Sequence, residues 1–169
     1  MFKRAKYELS LIRKAFFMYK RGFRYLWYRF IVAPKIQDVE VLGRVADRED
    51  LSMHILCGAR DFVMCLWSLG SFYTYMPEVG KLYVHDDGSL TEKQKRIYKR
   101  QFPGVEIVSN SIDTSELLNA YPDLLTFRKE FKGFQARKLF DPLTVSNAPW
   151  LLILDSDILW FQEPTEIVE

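Results

Sequence analysis

The chain has 169 residues, of which 49% are hydrophobic and 15% aromatic. That length and composition suit one domain with a sizeable core, and they exclude a largely disordered chain. The net charge of +2 hides an asymmetry along the sequence. Residues 1–35 contain ten Lys or Arg and one Glu, a net charge of +9, so the rest of the chain carries −7. We therefore predict a separate basic segment at residues 1–35.

Residues 3–31 predict one helix or two, with Gly22 as a candidate joint, because apolar side chains recur at three- and four-residue spacing. These apolar positions are Leu9, Ile12, Phe16, Tyr19, Phe23, Leu26, Trp27 and Phe30. Basic residues flank the stripe, which is typical of an amphipathic helix on an anionic membrane surface. We predict that residues 1–31 contact such a surface. The alternative is that the stripe docks on the protein or on a missing segment while its charges are solvated.

Cys57 and Cys65 are the only cysteines, and their spacing matches no metal site. Free buried thiols in a reducing compartment are the economical interpretation, although the two could pair. The sequence has no window of about 18 uninterrupted apolar residues, and charges interrupt its first thirty positions, so we expect neither a transmembrane helix nor a signal peptide. We predict a cytoplasmic protein, peripheral at the inner face of the membrane if residues 1–31 bind there, with no nucleic-acid partner.

Strand-like and helix-like segments alternate after a polar connector. The predicted strands cover residues 53–58, 81–85, 105–108 and 149–154, and the predicted helices cover residues 59–75, 91–102, 115–131 and 134–143. Thr91 and Gln94 match the capping box that opens a helix, and Pro122 interrupts the third helix. The alternation predicts an α/β fold over residues 51–169, with a Rossmann-like, mostly parallel sheet covered on both faces.

Residues 150–161 form an apolar run that predicts a buried strand, interrupted by Asp155 and Asp157. Carboxylates at positions i and i+2 point to the same side of an extended backbone, where they repel each other unless an oxygen-preferring cation lies between them. We predict a metal site at this pair. The alternative is a strand end with two solvated Asp residues.

The other candidate residues follow from the rule that ligands bind beyond the carboxyl ends of the strands in an open α/β sheet. No Gly-rich phosphate loop is present, so metal and basic side chains would hold phosphates. After the first strand we select Cys57, Gly58 and Arg60, with Gly58 allowing close approach to the backbone. Asp86 and Asp87 could bind a base or ribose, or could form an Asx turn.

Arg137 and Lys138 lie on the helix before the acidic strand, and one of them could reach a nucleotide bound over the end of that strand. Neighbours on a helix point about 100° apart, so at least one of the two is expected to be solvated. His54 lies inside an apolar strand and is predicted to be a core histidine, whereas His85, beside two carboxylates, is the better site candidate.

Three motifs in this order resemble GT-A glycosyltransferases, which transfer a sugar from a nucleotide-diphosphate donor. They are the strand that ends at Asp155-Ser156-Asp157, the earlier strand that ends with His85-Asp86-Asp87-Gly88, and Lys138-Leu139-Phe140-Asp141-Pro142 between them. The layout is similar to the glycogenin-like and lipopolysaccharide galactosyltransferase-like group. The resemblance covers about residues 51–169, and the basic segment before them has no counterpart.

The resemblance implies a hexosyltransferase-like enzyme that uses a UDP- or GDP-sugar and an unknown acceptor. Asp157 would ligate Mn²⁺ or Mg²⁺, and Asp155 would share the metal or bind the ribose of the donor. Lys138 would contact the donor sugar or ribose, with Arg137 as the alternate. Residues 57–61 and Asp86 match positions that cradle the nucleotide.

GT-A enzymes continue past this strand into a half that supplies acceptor contacts and the remaining catalytic groups. The present chain ends twelve residues after Asp157. We therefore expect an N-terminal portion in which no catalytic base or nucleophile is assigned, so that the isolated chain can be inactive.

Two rival functions remain at this stage. One is a truncated domain that binds nucleotide sugar or membrane without transfer. The other is a phosphatase of the haloacid dehalogenase type, in which Asp155 would be the nucleophile. In that class the motif normally opens the domain and is followed by Gly-Thr or a nearby Thr or Val, whereas Ile158 and Leu159 follow it here, which disfavours this rival.

Overall fold

The computed structural model describes residues 2–46, 48–109, 111–130 and 134–164. Residue 131, where one predicted helix ends, and residues 165–169, the end of the predicted domain, lie outside these ranges. The chain divides into two compact units, Met1–Asp38 and Val39–Glu169. Within the described ranges, no helix has the length and apolar character needed to span a bilayer.

The first unit begins with two helices, α1 (Phe2–Phe17) and α2 (Gly22–Trp27), followed by a π-helical segment (Tyr28–Val32) and a 3₁₀ segment (Ala33–Asp38). The joint predicted at Gly22 is therefore confirmed. A Cβ at Gly22 would lie 2.4 Å from the ring of Phe16, so a larger residue here would displace that ring. Arg29 also fixes this unit, since its guanidinium donates two hydrogen bonds to the Glu8 carboxylate, at 2.9 and 3.0 Å.

The second unit is built on a four-stranded sheet with the order β3-β2-β1-β4, in which every pairing is parallel. Its strands are β1 (Leu51–Cys57), β2 (Lys81–Asp86), β3 (Glu106–Val108) and β4 (Trp150–Leu154). The helices are α3 (Phe62–Tyr75), α4 (Glu92–Gln101), α5 (Ser115–Ala120), α6 (Asp123–Glu130) and α7 (Phe134–Val145). The predicted α/β fold with a parallel sheet is confirmed.

The core lies on both sides of β1, whose seven residues are all buried. On one face, Cys57 accepts a hydrogen bond from the Tyr98 hydroxyl of α4 at 3.1 Å, and Phe62 of α3 packs edge-on against the Tyr98 ring. On the other face, His54 and its neighbours lie towards α7. Each large side chain buried completely in these layers contributes about 1.5–3 kcal/mol of transfer free energy.

The strand β4 differs from its prediction as a buried strand. Trp150 is 71% exposed and Ile153 is 43% exposed, and only Leu154 is buried. The reason is its place in the sheet, because β4 pairs with β1 on one side and has no strand on its other side in the described chain. An apolar run therefore marks an edge strand here.

Two prolines shape the helices that the sequence predicted. Pro122 lies between α5 and α6, so the helix predicted over residues 115–131 is divided into two helices at this proline. Pro142 lies inside α7, which nevertheless continues to Val145. The Thr144 hydroxyl donates to the Phe140 carbonyl at 2.8 Å within this last turn.

Candidate functional site

The carboxyl ends of β1, β2, β3 and β4 meet at one edge of the sheet, which we call the carboxyl edge. The strand order places β4 beside β1, whereas β2 and β3 follow on the opposite side. The chain thus reverses its direction of travel across the sheet between β1 and β4. In open α/β sheets, such a switch point leaves a crevice in which ligands bind.

The loops after β1 and β2 are tied together at this edge. The Ala59 amide donates to the Ser89 hydroxyl at 2.8 Å, and the Asp87 amide donates to the Cys57 carbonyl at 3.3 Å. A Cβ at Gly58 would lie 2.2 Å from the Asp87 carboxylate. A larger residue at position 58 would therefore displace the Asp87 carboxylate, which Gly58 allows to lie this close to the backbone.

The helix α4 joins the same loops. Thr91 and Gln94 form the predicted capping box, with the Gln94 amide donating to the Thr91 hydroxyl at 3.3 Å and the Thr91 amide donating to Gln94 Oε1 at 2.9 Å. The side-chain nitrogen of Gln94 also donates to the Ala59 carbonyl at 3.1 Å. The capping residue thus supports the loop after β1 as well as its own helix.

Asp86 forms the Asx turn that was one of its two predicted roles. Its Oδ1 accepts hydrogen bonds from the amides of Gly88 at 2.7 Å and Leu90 at 3.1 Å, and its Oδ2 lies 3.3 Å from Lys95 Nζ. Gly88 has a φ of 91°, which glycine adopts at little cost. The buried Asp86 carboxylate therefore organises the loop after β2.

Arg137 holds the ends of β2 and β3. Its Nε and Nη2 atoms each lie 2.8 Å from Asp141 Oδ2, Nη1 donates to the Asp86 carbonyl at 3.0 Å, and Nη2 donates to the Ser109 carbonyl at 3.5 Å. A planar guanidinium suits several acceptors at once. These contacts give Arg137 a structural position at β2 and β3.

Asp141 lies at one end of a buried polar chain across the sheet. His85 Nδ1 is 3.6 Å from Asp141 Oδ2, and His85 Nε2 is 3.0 Å from His54 Nδ1. His54 Nε2 is 2.9 Å from the Ser52 hydroxyl, which is 2.8 Å from the Ser146 hydroxyl. If His85 Nδ1 carries the proton facing the carboxylate, His54 must donate to His85 and Ser52 must donate to His54.

Burial, followed by repulsion from His85, lowers the pKa of His54 from 6.5 to about 3. The neutral imidazole is therefore favoured, as expected for a core histidine that stacks on the Tyr83 ring at 4.8 Å. His85 is also buried, at 2% exposure. Its imidazole lies in the interior, between His54 and Asp141.

Lys138 points to the other end of the carboxyl edge, where its ammonium contacts the Asp155 carboxylate. The two side chains are 35% and 51% exposed, so this ion pair is accessible to a ligand. Two serines of α3 fix the backbone here. The Ser68 hydroxyl donates to the Asp155 carbonyl at 3.1 Å, and the Trp160 amide donates to the Ser71 hydroxyl at 3.1 Å.

The Asp155-Ser156-Asp157 segment does not have the extended backbone on which the sequence argument relied. The strand β4 ends at Leu154, and Ser156 and Asp157 lie in a turn, where the alternation of a strand no longer applies. Both Asp side chains are exposed. Across the described residues, no group of three or more His, Cys, Asp or Glu side chains is arranged to hold a metal ion.

The first strand end offers its backbone and one exposed basic residue. Cys57 is completely buried and its sulfur faces Tyr98, so the thiol has no access to a ligand at the edge. The Arg60 side chain, 61% exposed, forms an ion pair with Asp61 at 3.0 Å.

An open cavity of about 440 Å³ lies between β3 and α4. Its lining includes Asp86, Gly88, Lys95, Arg96, Lys99 and Ser109.

The sequence analysis gave no role to Asp141, Ser68 or Ser71. The Arg137 to Asp141 spacing of four residues on a predicted helix is the signal that could have identified the first, since such residues face each other. The two serines bind a loop that is more than 85 residues away along the chain, and no local pattern announces that contact.

No family model matches the chain, and neither does any curated protein or solved structure.

Proposed function

We propose that the chain binds a nucleotide-diphosphate sugar at the β4 end of the carboxyl edge and acts as a metal-dependent, hexosyltransferase-like glycosyltransferase of the GT-A type. The observation that carries the proposal is the exposed turn with Asp155 and Asp157 beside the switch point between β1 and β4, with Lys138 in contact with Asp155. Two carboxylates and an ammonium at an open sheet edge suit a ligand that carries both phosphates and hydroxyls.

The metal would be held by Asp157 and Asp155. Mg²⁺ in nucleotide sites is usually bound by one or two carboxylates, with phosphate oxygens and waters completing its shell. Two exposed carboxylates therefore fit an ion that is shared with the donor. When bound, Mn²⁺ or Mg²⁺ would stabilise the negative charge on the nucleoside diphosphate as the glycosidic bond breaks.

The chain's own residues would orient the donor. The Lys138 ammonium can leave Asp155 for a phosphate or a sugar hydroxyl, because an exposed ion pair contributes only about 0–1 kcal/mol. The loop after β1, with Gly58 and Arg60, follows one of the two strands that border the switch point and would contact the nucleoside. Asp86 and Asp87 would act indirectly, since their carboxylates bind the loop backbone.

The test is calorimetric titration of the full chain with UDP and GDP, with and without Mn²⁺, on the wild type and on Asp157→Asn. The matched control is Asp50→Asn, which makes the same chemical change at the amino end of β1, where Asp50 forms an exposed ion pair with Arg48. We expect Mn²⁺-dependent binding of one nucleotide, at least tenfold weaker in Asp157→Asn and unchanged in Asp50→Asn.

A folded wild type that binds neither nucleotide would contradict the proposal. So would a nucleotide affinity that is the same with and without Mn²⁺ and the same in the wild type and in Asp157→Asn. Sugar release from a UDP- or GDP-sugar, measured on the same samples, separates the enzyme from the alternative. Metal-dependent binding without turnover would support a nucleotide-sugar-binding domain that transfers nothing.

A further inference from the structure

The turn between α1 and α2 presents large apolar side chains to solvent. Phe17 is 80% exposed, Met18 is 66%, Tyr19 is 59% and Phe23 is 83%. Apolar exposure this concentrated, within seven consecutive residues, marks an interaction surface rather than the scattered exposure found on most proteins. We call residues 17–24 the hairpin tip.

The hairpin tip is also strongly basic. Lys20, Arg21 and Arg24 lie within it, and all three side chains are exposed. The single acidic residue of the first 35, Glu8, is already neutralised by its two hydrogen bonds with Arg29. The positive charge of this unit is therefore available to an external anion.

Two of these cations border a cavity of about 590 Å³ between α1 and α2. It is lined by Ala15, Tyr19, Arg21, Arg24, Tyr25 and Tyr28. The Arg24 guanidinium lies 5.6 Å from the centre of the Tyr28 ring, which holds it beside the cavity. Guanidinium groups bind phosphate through paired hydrogen bonds, and tyrosines favour the polar boundary of a bilayer.

We propose that the hairpin tip docks on a membrane surface rich in anionic phospholipid. Phe17, Met18 and Phe23 enter the boundary between headgroups and acyl chains, and Arg21 and Arg24 bind lipid phosphates. Charge complementarity selects this occupant, because the apolar side chains and the cations share one short turn, as they do in segments that lie in a membrane interface. The inference stands independently of the proposed donor site.

The test is cosedimentation of the full chain with vesicles of phosphatidylcholine alone or mixed with phosphatidylglycerol. Arg21→Gln/Arg24→Gln removes two charges from the hairpin tip, and Lys93→Gln/Lys99→Gln removes two exposed charges from α4 as the matched control. At about 1 kcal/mol for each basic residue near the surface, we expect the first pair to weaken partitioning about thirtyfold. The control should stay within about twofold of the wild type.

A second pair of variants tests the apolar part. Phe17→Ser/Met18→Ser should weaken partitioning into vesicles at least about tenfold. The variant lacks two large apolar side chains whose transfer from water into the membrane favours binding. Ile158→Ser/Leu159→Ser changes two exposed apolar residues of the other unit and should leave partitioning unchanged. Far-ultraviolet circular dichroism on each variant establishes that its helices are retained.

Equal binding to neutral and anionic vesicles would overturn the proposal, as would hairpin-tip variants that bind like the wild type. The hairpin tip would instead bind a second copy of the chain if three results came together. The wild type would not bind vesicles, it would self-associate in sedimentation velocity, and the hairpin-tip variants would be monomeric. Nucleotide binding is measured separately, so failure here leaves the donor site unaffected.

Discussion

At the β2 and β3 end of the carboxyl edge, Asp86, Arg137 and Asp141 are tied to other groups of the protein, whereas at the β4 end Asp155 and Asp157 are exposed just after the strand. The first end therefore uses its charges to hold strands and loops together. The second leaves its charges accessible to a ligand. Similar residue types at neighbouring strand ends thus have different roles, set by burial and by the partners in reach.

Arg137→Gln should cause the largest loss in the free energy of unfolding among these variants. The change leaves the Asp141 carboxylate buried, at 4% exposure, without its cation, and breaking such a pair costs about 3 kcal/mol or more. Urea unfolding should show a loss of that size. Lys138→Gln, one position along α7, is the control, and equal losses for both variants would remove the distinction between the two ends.

The next largest loss of stability is expected on acidification, through the buried His54 of β1. The pKa of His54 is about 3 in the folded chain and 6.5 in the unfolded chain, so the unfolded chain binds the proton first as pH falls. The contribution of His54 to stability is complete above pH 6.5 and is lost between pH 6.5 and 3, at up to about 1.4 kcal/mol for each pH unit.

Urea unfolding at pH 7, 6 and 5 measures that slope for the wild type and for His54→Asn, which cannot titrate in this range. The wild type should lose stability more steeply than the variant. Parallel curves would show that His54 is not kept neutral by the fold.

A smaller loss should follow from Asp86→Ala. Two backbone amides, of Gly88 and Leu90, lose their acceptor, and Lys95 loses its partner. We expect about 1–2 kcal/mol in the free energy of unfolding, by thermal or urea unfolding. Asp86→Asn keeps the acceptor oxygen and should lose less. If the two variants are equally destabilised, the charge rather than the Asx turn supports the loop.

The smallest effect on stability is expected at the β4 end. Asp157→Asn and Lys138→Gln should each change the free energy of unfolding by less than about 0.5 kcal/mol, because both side chains are substantially exposed. The same two variants should weaken nucleotide binding if the proposed function holds. A large loss of stability in either would place it among the structural charges of the β2 and β3 end.

The sequence predicted the sheet well because its signals are local. Apolar runs that end in turn residues located the four strands, and the Thr91 to Gln94 spacing located the start of α4. The same logic brought the polar strand ends to one edge, since parallel strands share a direction.

The roles of those strand ends could not be read in the same way. Arg137 binds carbonyls of residues 86 and 109, and such contacts leave no pattern in side-chain identity. The prediction of β4 as a buried strand was wrong. A run of apolar residues indicates a strand, but it does not indicate whether that strand has neighbours on both sides or lies at the edge of the sheet. The nucleotide-sugar and metal assignments stay predictions, and they now centre on Lys138, Asp155 and Asp157.

The reactivity of the two buried thiols reports local unfolding of the core. Cys57 and Cys65 are free and completely buried between β1 and α3, and burial raises the pKa of the Cys65 thiol well above its usual value. A thiol reagent meets neither sulfur while these layers stay packed, since it reacts with accessible thiolate. The rate of thiol labelling in native buffer therefore measures how often the packing between β1 and α3 opens, without denaturant and without an added probe.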